Sequence, residues 1–362
     1  MSLIIIACGG TGGHLSPGIA LAEKLLESGQ ECLLVVSRKK IDARLLEKYP
    51  HLQFLRAPGT GWSANLAGRL RFLASQTWAV LFAAGLVLRR RPAVLVSFGG
   101  FLTLGLALVC RLAGVPVVLH EANRVPGKAV RMLGKIATRV WLPPGVALGG
   151  VAAGKQRSAG FPVRKEFALL ERAEARRALE FPETGNLVLV LGGSQGAAPL
   201  NAWVTANAQN LSGAGIHVLC VTGPEKAAAE PPCGNGTGVV RFVPFCDRMP
   251  EALSAADLVV SRSGAGSIAE FMACALPSVL VPYPFAADNH QEANARFLET
   301  LGGGTVLSQK DIGTLSEVVG HLLSDTSKLA QMRENLRAAR DKCAWQPMVT
   351  DILRLAGAKA EK

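Results

Sequence analysis

Apolar residues fall along this chain in short runs. Each run is followed by a turn and then by a stretch in which apolar positions recur every three or four residues. A short apolar run reads as a buried strand, and the longer recurrence as a helix packed on it. Leu3-Ile4-Ile5-Ile6-Ala7 therefore predicts a first strand, and Pro17–Leu25 a helix after it. Cys32–Ser37, Gln53–Arg56, Ala93–Phe98 and Val115–Leu119 repeat the strand signal, with a helix predicted over Leu102–Ala113. Periodicity lapses over Pro143–Gly154 and resumes after Gly160-Phe161-Pro162-Val163-Arg164. Strands then follow at Leu187–Leu191, His217–Thr222, Val239–Val243, Leu258–Ser261 and Ser278–Val281, and the end of the chain from about Leu329 is helical and basic. Alternating strands and helices predict an α/β protein with parallel, doubly wound sheets, and a length of 362 residues suits two such domains.

The region from about Leu66 to Leu88 breaks this rhythm. It is a long helical pattern carrying Leu66, Leu70, Leu73, Trp78, Leu81, Phe82 and Leu86, flanked by Arg69, Arg71 and Arg89-Arg90-Arg91. Its weakly polar span, Phe72–Leu88, covers 17 residues and includes Ser75, Gln76 and Thr77, which is short and impure for a helix that crosses a bilayer. Two readings remain: a helix buried in the core, or one lying on a membrane with its apolar side down and its arginines on phosphate headgroups.

Charge favours an anionic partner. The net charge is +12. Residues 1–161 carry 20 Lys and Arg against 6 Asp and Glu, whereas the rest carries 19 against 21. No acidic residue lies between Glu47 and Glu121. Such one-sided charge points to lipid headgroups, nucleic acid or a pyrophosphate ligand. Only two Tyr occur, a poor supply of stacking surfaces for nucleic acid. The eight Cys are scattered with no C-x-x-C pair, so neither a zinc knuckle nor a disulfide framework is predicted. Met1-Ser2-Leu3 lacks the positive charge of an export signal.

The candidate chemistry sits at the turns. Gly9-Gly10-Thr11-Gly12-Gly13-His14 joins the first strand to the first helix. This layout brings backbone N–H groups and a helix N-terminus to an anion, but its spacing is neither the dinucleotide fingerprint nor a P-loop. Three more helix starts, at Ser194, Gly264–Ser267 and Asp288–Gln291, expose N–H groups suited to a nucleotide diphosphate. Glu270 is placed to accept from both ribose hydroxyls or, alternatively, to complement its helix dipole. Arg164 is a diphosphate contact or a linker ion pair. His14 is the base candidate for a transfer that needs a proton taken from an attacking hydroxyl, unless it is structural. No Asp-x-Asp motif is present to hold a metal on the diphosphate, so neither a metal site nor a cofactor is expected.

The first glycine stretch, together with His120-Glu121-Ala122-Asn123, Gly192-Gly193-Ser194-Gln195-Gly196 and Arg262-Ser263-Gly264-Ala265 with Glu270, closely resembles the MurG family. These are family 28 glycosyltransferases that move N-acetylglucosamine from UDP-N-acetylglucosamine to lipid I, the undecaprenyl-pyrophosphoryl-muramyl-pentapeptide, giving lipid II. The resemblance implies a GT-B fold, with two Rossmann-like domains facing across a cleft. Residues 1–161 would form the acceptor and membrane domain and 162–341 the donor domain, with a helix over 342–362 packing back on the first. It also implies an inverting, metal-independent transfer at the cytoplasmic face of the inner membrane, with cell-wall synthesis and division proteins as possible partners. By resemblance Thr11, Gly12 and Gly13 line the diphosphate and sugar region, His14 is the base, and Asn123 holds the N-acetylglucosamine. Arg164 and Ser194 meet the diphosphate, the Cys246 backbone reads uracil, and Ala265, Gly266 and Ser267 face the phosphates. Glu270 takes the ribose and Gln291 the sugar hydroxyls. One departure is Phe101, where the family usually has Tyr, so a phenolic contact to the acceptor is missing. Other readings are a different GT-B enzyme, such as a diacylglycerol glycosyltransferase or a 2-epimerase, and a basic scaffold without activity. An epimerase would need carboxylates near the sugar, and the first-domain loops offer few besides Glu121.

Overall fold

A computed structural model describes residues 2–9, 12–37, 43–59, 66–100, 102–224 and 236–357. The chain forms two compact units, residues 1–164 with 343–362, and residues 165–342.

The first unit contains β1 (Leu3–Ala7), α1 (Gly12–Glu27), β2 (Glu31–Val36), α2 (Ala43–Glu47), β3 (Gln53–Arg56), α3 (Leu66–Arg90), β4 (Val94–Ser97), α4 (Leu102–Leu112), β5 (Val117–His120), α5 (Lys128–Leu133), β6 (Arg139–Leu142) and β7 (Gln156–Ser158). Its seven strands are all parallel, in the order β3-β2-β1-β4-β5-β6-β7. The alternation of strand side chains explains why β1 is apolar throughout. Ile4 and Ile6 enter one core layer beside Leu15, Ile19 and Leu25 of α1. Ile5 and Ala7 enter the opposite layer beside Ala83 and Val87 of α3 and Leu102 and Leu106 of α4.

The second unit contains α6 (Arg172–Ala178), β8 (Leu187–Leu191), α7 (Ala198–Gly213), β9 (His217–Val221), β10 (Val240–Val243), α8 (Met249–Ala255), β11 (Leu258–Ser261), α9 (Ala265–Ala273), β12 (Ser278–Leu280), α10 (His290–Thr300), β13 (Gly304–Val306), α11 (Leu315–Ser324) and α12 (Thr326–Lys342). Its six parallel strands run β10-β9-β8-β11-β12-β13. The final helix α13 (Gln346–Leu355) belongs to the first unit. There Met348, Val349 and Ile352 join the α1 side of the core, and Asp351 lies 3.5 Å from Arg139 of β6.

Both sheets are the parallel, doubly wound type that the apolar pattern predicts. Two local features differ from it. Helix α1 begins at Gly12, inside the glycine stretch, and carries Pro17 internally, so Gly13 and His14 lie in a helical first turn. Helix α10 begins at His290 because Asp288 and Asn289 both hold left-handed backbone, at φ 51° and 53°.

The long helix α3 is packed into the core on one side, as one of its two readings expects. Ala79, Ala83 and Val87 are buried, whereas Trp78, Leu81 and Leu88 are 61%, 59% and 73% exposed. It is a core helix on one side and carries large apolar groups to solvent on the other. Among the described residues no helix is long and apolar enough to cross a membrane.

Candidate functional site

In a doubly wound sheet ligands meet the C-terminal ends of the strands. In the first unit the ends of three neighbouring strands, β1, β4 and β5, carry Gly9, Gly99-Gly100 and His120–Asn123. The β1 and β4 loops touch. Gly100 has φ +84°, and a Cβ there would lie 1.8 Å from the Gly9 carbonyl oxygen, so only glycine fits. The half-buried His14 ring sits against this pair of loops, with Nδ1 3.1 Å from the Gly9 oxygen. A carbonyl only accepts, so Nδ1 carries the proton and the lone pair of the neutral ring is on Nε2.

The loop after β5 is organised by Glu121, which is buried. Its Oε1 accepts from the Asn123 backbone N–H at 2.9 Å and from Asn123 Nδ2 at 3.1 Å, and its Oε2 accepts from the Gly127 N–H at 2.7 Å. With Nδ2 held by Glu121, Oδ1 is the acceptor end of the Asn123 amide. Sequence reasoning left Glu121 without this role. A carboxylate at a strand end, two residues before Asn and six before Gly, was the available signal.

His120 has a different job. It is fully buried, with its Nε2 donating to the Gly160 carbonyl at 3.0 Å and its ring 5.2 Å from that of Phe98. Burial pushes its pKa down to about 4, so it is neutral near pH 7 and ties β5 to the segment leading to Arg164. Arg164 belongs to this first unit, where its Nη1 donates to the Tyr49 hydroxyl at 3.1 Å. Thr11 and Phe101 lie outside the described residues; Gly12 and Gly13 open α1.

In the second unit three helices start where neighbouring strands end: α7 after β8, α9 after β11 and α10 after β12. In none of the three does the side chain of the N-cap residue, Ala197, Gly264 or Asn289, cap the first turn. Uncapped first-turn N–H groups are an anion site with the positive end of the helix dipole behind them. Ala265, Gly266 and Ser267 form the first turn of α9, and Glu270 lies half-buried in its second. Ser194 is exposed in the loop before α7. The loop is shaped by Gly196 at φ +68°, whose Cβ would lie 1.8 Å from the Thr222 carbonyl oxygen. Cys246 is half-buried after β10. Gln291, in the first turn of α10, is tied to the α9 loop, because the Ser263 hydroxyl donates to its carbonyl at 2.8 Å. Thus Ser194, Ala265, Gly266, Ser267, Glu270 and Gln291 all sit at or just beyond one end of the second sheet, and Gly12, Gly13, His14 and Asn123 at the corresponding end of the first. Among the described residues no three His, Cys, Asp or Glu side chains are grouped to hold a metal ion.

Two family models match the chain. Residues 4–142 match the glycosyltransferase family 28 N-terminal domain, and residues 187–346 match the glycosyltransferase family 28 C-terminal domain. The chain is 47% identical over 356 residues to the Opitutus terrae UDP-N-acetylglucosamine–N-acetylmuramyl-(pentapeptide) pyrophosphoryl-undecaprenol N-acetylglucosamine transferase, covering 97% of this chain and 94% of that one. It is 36% identical to the Prochlorococcus marinus protein of the same name, covering 93% and 92%. The crystal structure of Acinetobacter baumannii MurG superposes with a TM-score of 0.72 at 24% identity, covering 98% of this chain and all of that one, which shows a common fold.

Proposed function

The chain belongs to glycosyltransferase family 28, and on that footing we propose that it transfers N-acetylglucosamine from UDP-N-acetylglucosamine to the C4 hydroxyl of the muramyl sugar of lipid I, giving lipid II for peptidoglycan synthesis. The names of its relatives support both substrates. The observation that carries the reading is the row of three helix starts after neighbouring strands of the second unit, none capped by the side chain of its N-cap residue. A nucleoside diphosphate is the ligand whose charge such a row matches.

The chemistry follows from the groups present. The Nε2 of His14 takes the proton of the acceptor hydroxyl as its oxygen attacks the anomeric carbon. The bond from that carbon to the diphosphate oxygen breaks on the opposite side, so the configuration inverts. The electron pair leaves on UDP, where fixed N–H dipoles of α9 and the Arg164 guanidinium meet charge as it develops. Glu270 accepts from the ribose hydroxyls and the backbone at Cys246 reads the uracil. Thr11, Gly12, Gly13 and Ser194 line the diphosphate, and Asn123, through Oδ1, accepts from the N-acetyl N–H. Gln291 donates to a sugar hydroxyl. The charge on the diphosphate is met by dipoles and Arg164, so no divalent ion is required.

The same reading places the protein at the cytoplasmic face of the inner membrane, held from one side. The exposed Trp78, Leu81 and Leu88 of α3 stand beside Arg89, Arg90 and Arg91, an apolar face with a cationic edge suited to anionic lipid. A cavity of about 790 Å³ between α3 and the β2–β3 edge, lined by Phe54, Trp78, Leu81, Phe82 and Arg89, continues that face.

The test is the purified chain with UDP-N-acetylglucosamine and a lipid I analogue, with and without EDTA. Formation of the β-linked disaccharide in both arms is expected. No product, or product only after a divalent ion is restored, would overturn the reading or its metal-free step respectively.

A further inference from the structure

We propose that Arg262 is a positioning residue for the transferred sugar, because it holds the backbone whose N–H fixes the orientation of the Gln291 carboxamide. This rests on the reading of Gln291 as a sugar contact. Arg262 follows β11 and is only 7% exposed. Its Nη1 donates to two successive carbonyls, Val281 at 2.9 Å and Pro282 at 3.1 Å, and its Nη2 donates to Gln309 Oε1 at 2.5 Å. Its guanidinium carbon lies 5.5 Å from the centre of the Tyr283 ring. Burying a cation against neutral oxygens is unfavourable unless its donors are used, and a planar group that meets two successive carbonyls from one nitrogen and Gln309 from another is a geometry the single nitrogen of lysine cannot reproduce.

What this geometry fixes is the next residue. The Tyr283 backbone N–H donates to Gln291 Oε1 at 3.0 Å. An N–H can face only the oxygen end of an amide, so the two ends of Gln291 are not interchangeable. Its NH2 is the end left to donate to a hydroxyl. The turn into α10 needs an external tie of this kind, because Asp288 and Asn289 both sit in left-handed backbone, a region unfavourable for residues with a side chain. The Ser263 hydroxyl holds the Gln291 carbonyl at 2.8 Å, and Asn294 Nδ2 holds the Ser263 carbonyl at 3.2 Å. Together these bonds join the Arg262 loop, the Pro282–Tyr283 loop and the start of α10 into one unit.

A double-mutant cycle on the full chain tests the link. Arg262→Lys is expected to raise the KM for UDP-N-acetylglucosamine about fivefold, the worth of one neutral hydrogen bond. Its Kd for UDP, which has no sugar, should be unchanged. Gln291→Ala is expected to raise KM at least as much, and the double variant to be no worse than Gln291→Ala alone. Gln309→Ala, which removes the Nη2 acceptor without touching Arg262, should shift KM in the same direction and serves if Arg262→Lys does not fold. If the effects of Arg262→Lys and Gln291→Ala multiply, or if the Kd for UDP rises in step with KM, Arg262 does not act through Gln291. If Gln291→Ala leaves KM unchanged, the sugar reading of Gln291 falls and the proposal falls with it.

Discussion

The His14 Nδ1 lies 3.1 Å from the carbonyl oxygen of Gly9, and this contact decides where the imidazole can act as a base. With Nδ1 protonated toward the carbonyl, the proposed proton abstraction would belong to Nε2. His14→Ala should therefore lower kcat by about 10²–10⁴-fold, the usual worth of a general base, with the KM for UDP-N-acetylglucosamine nearly unchanged. His14→Asn offers an amide N–H to the same carbonyl but no base. It should be as slow as the alanine variant while keeping the wild-type melting temperature. Steady-state kinetics with a lipid I analogue decide the matter, and wild-type turnover in either variant would remove His14 as the base.

Glu270 makes a complementary prediction on the donor side. It lies in the second turn of α9, beyond the Ala265–Ser267 N–H groups. A charged acceptor shared by two hydroxyls is worth more than a neutral one. Glu270→Ala should raise the KM for UDP-N-acetylglucosamine about tenfold or more, with kcat much less affected. A titration with UDP should show the same loss, whereas uridine analogues lacking ribose hydroxyls should bind wild type and variant alike.

The α3 face predicts membrane binding that can be separated from catalysis. Trp78→Glu with Leu81→Glu removes two exposed apolar groups and adds two negative charges. Sedimentation with anionic vesicles should show binding weakened at least about tenfold, with the Kd for UDP unchanged. Raising ionic strength should weaken wild-type binding in part, since screening acts on Arg89–Arg91 and not on the apolar contact. Wild-type vesicle binding by the double variant would move the membrane face elsewhere.

His120 makes stability depend on pH. Its pKa falls from 6.5 in the unfolded chain to about 4 when buried. Between those values the unfolded chain binds more protons, so stability is full above about pH 6.5 and falls as pH drops toward 4. At about 1.4 kcal/mol for each pH unit the loss is about 3 kcal/mol. His120→Gln keeps a donor for the Gly160 carbonyl and removes the titration. Melting temperatures measured at pH 7 and pH 5 should differ more for wild type than for this variant, and equal slopes would show that His120 does not carry the dependence.

Much of this was legible because it is local. A run such as Leu187–Leu191 needs no distant partner to read as a buried strand, and glycines between a strand and a helix announce a backbone turn wherever they occur. The motif order alone was enough to suggest the family. The long helix was harder, because exposed and buried apolar residues look alike in a sequence. Trp78 and Ala79 are adjacent in the chain, and only packing against α4 and the sheet sends one outward and the other inward.

The sequence by itself determined the two parallel sheets, the helix starts that follow their strands and the residue types gathered there, since apolar periodicity and glycine placement act over a few neighbouring residues. Tertiary structure alone decided which nitrogen of His14 holds a proton, that Glu121 clamps Asn123 and Gly127, that His120 is a buried tie to Gly160, and which end of the Gln291 amide is bonded. Each of these is a hydrogen bond whose direction depends on a partner delivered by the fold. Chain neighbours specify that a polar group is present, but only the packed structure specifies what it faces.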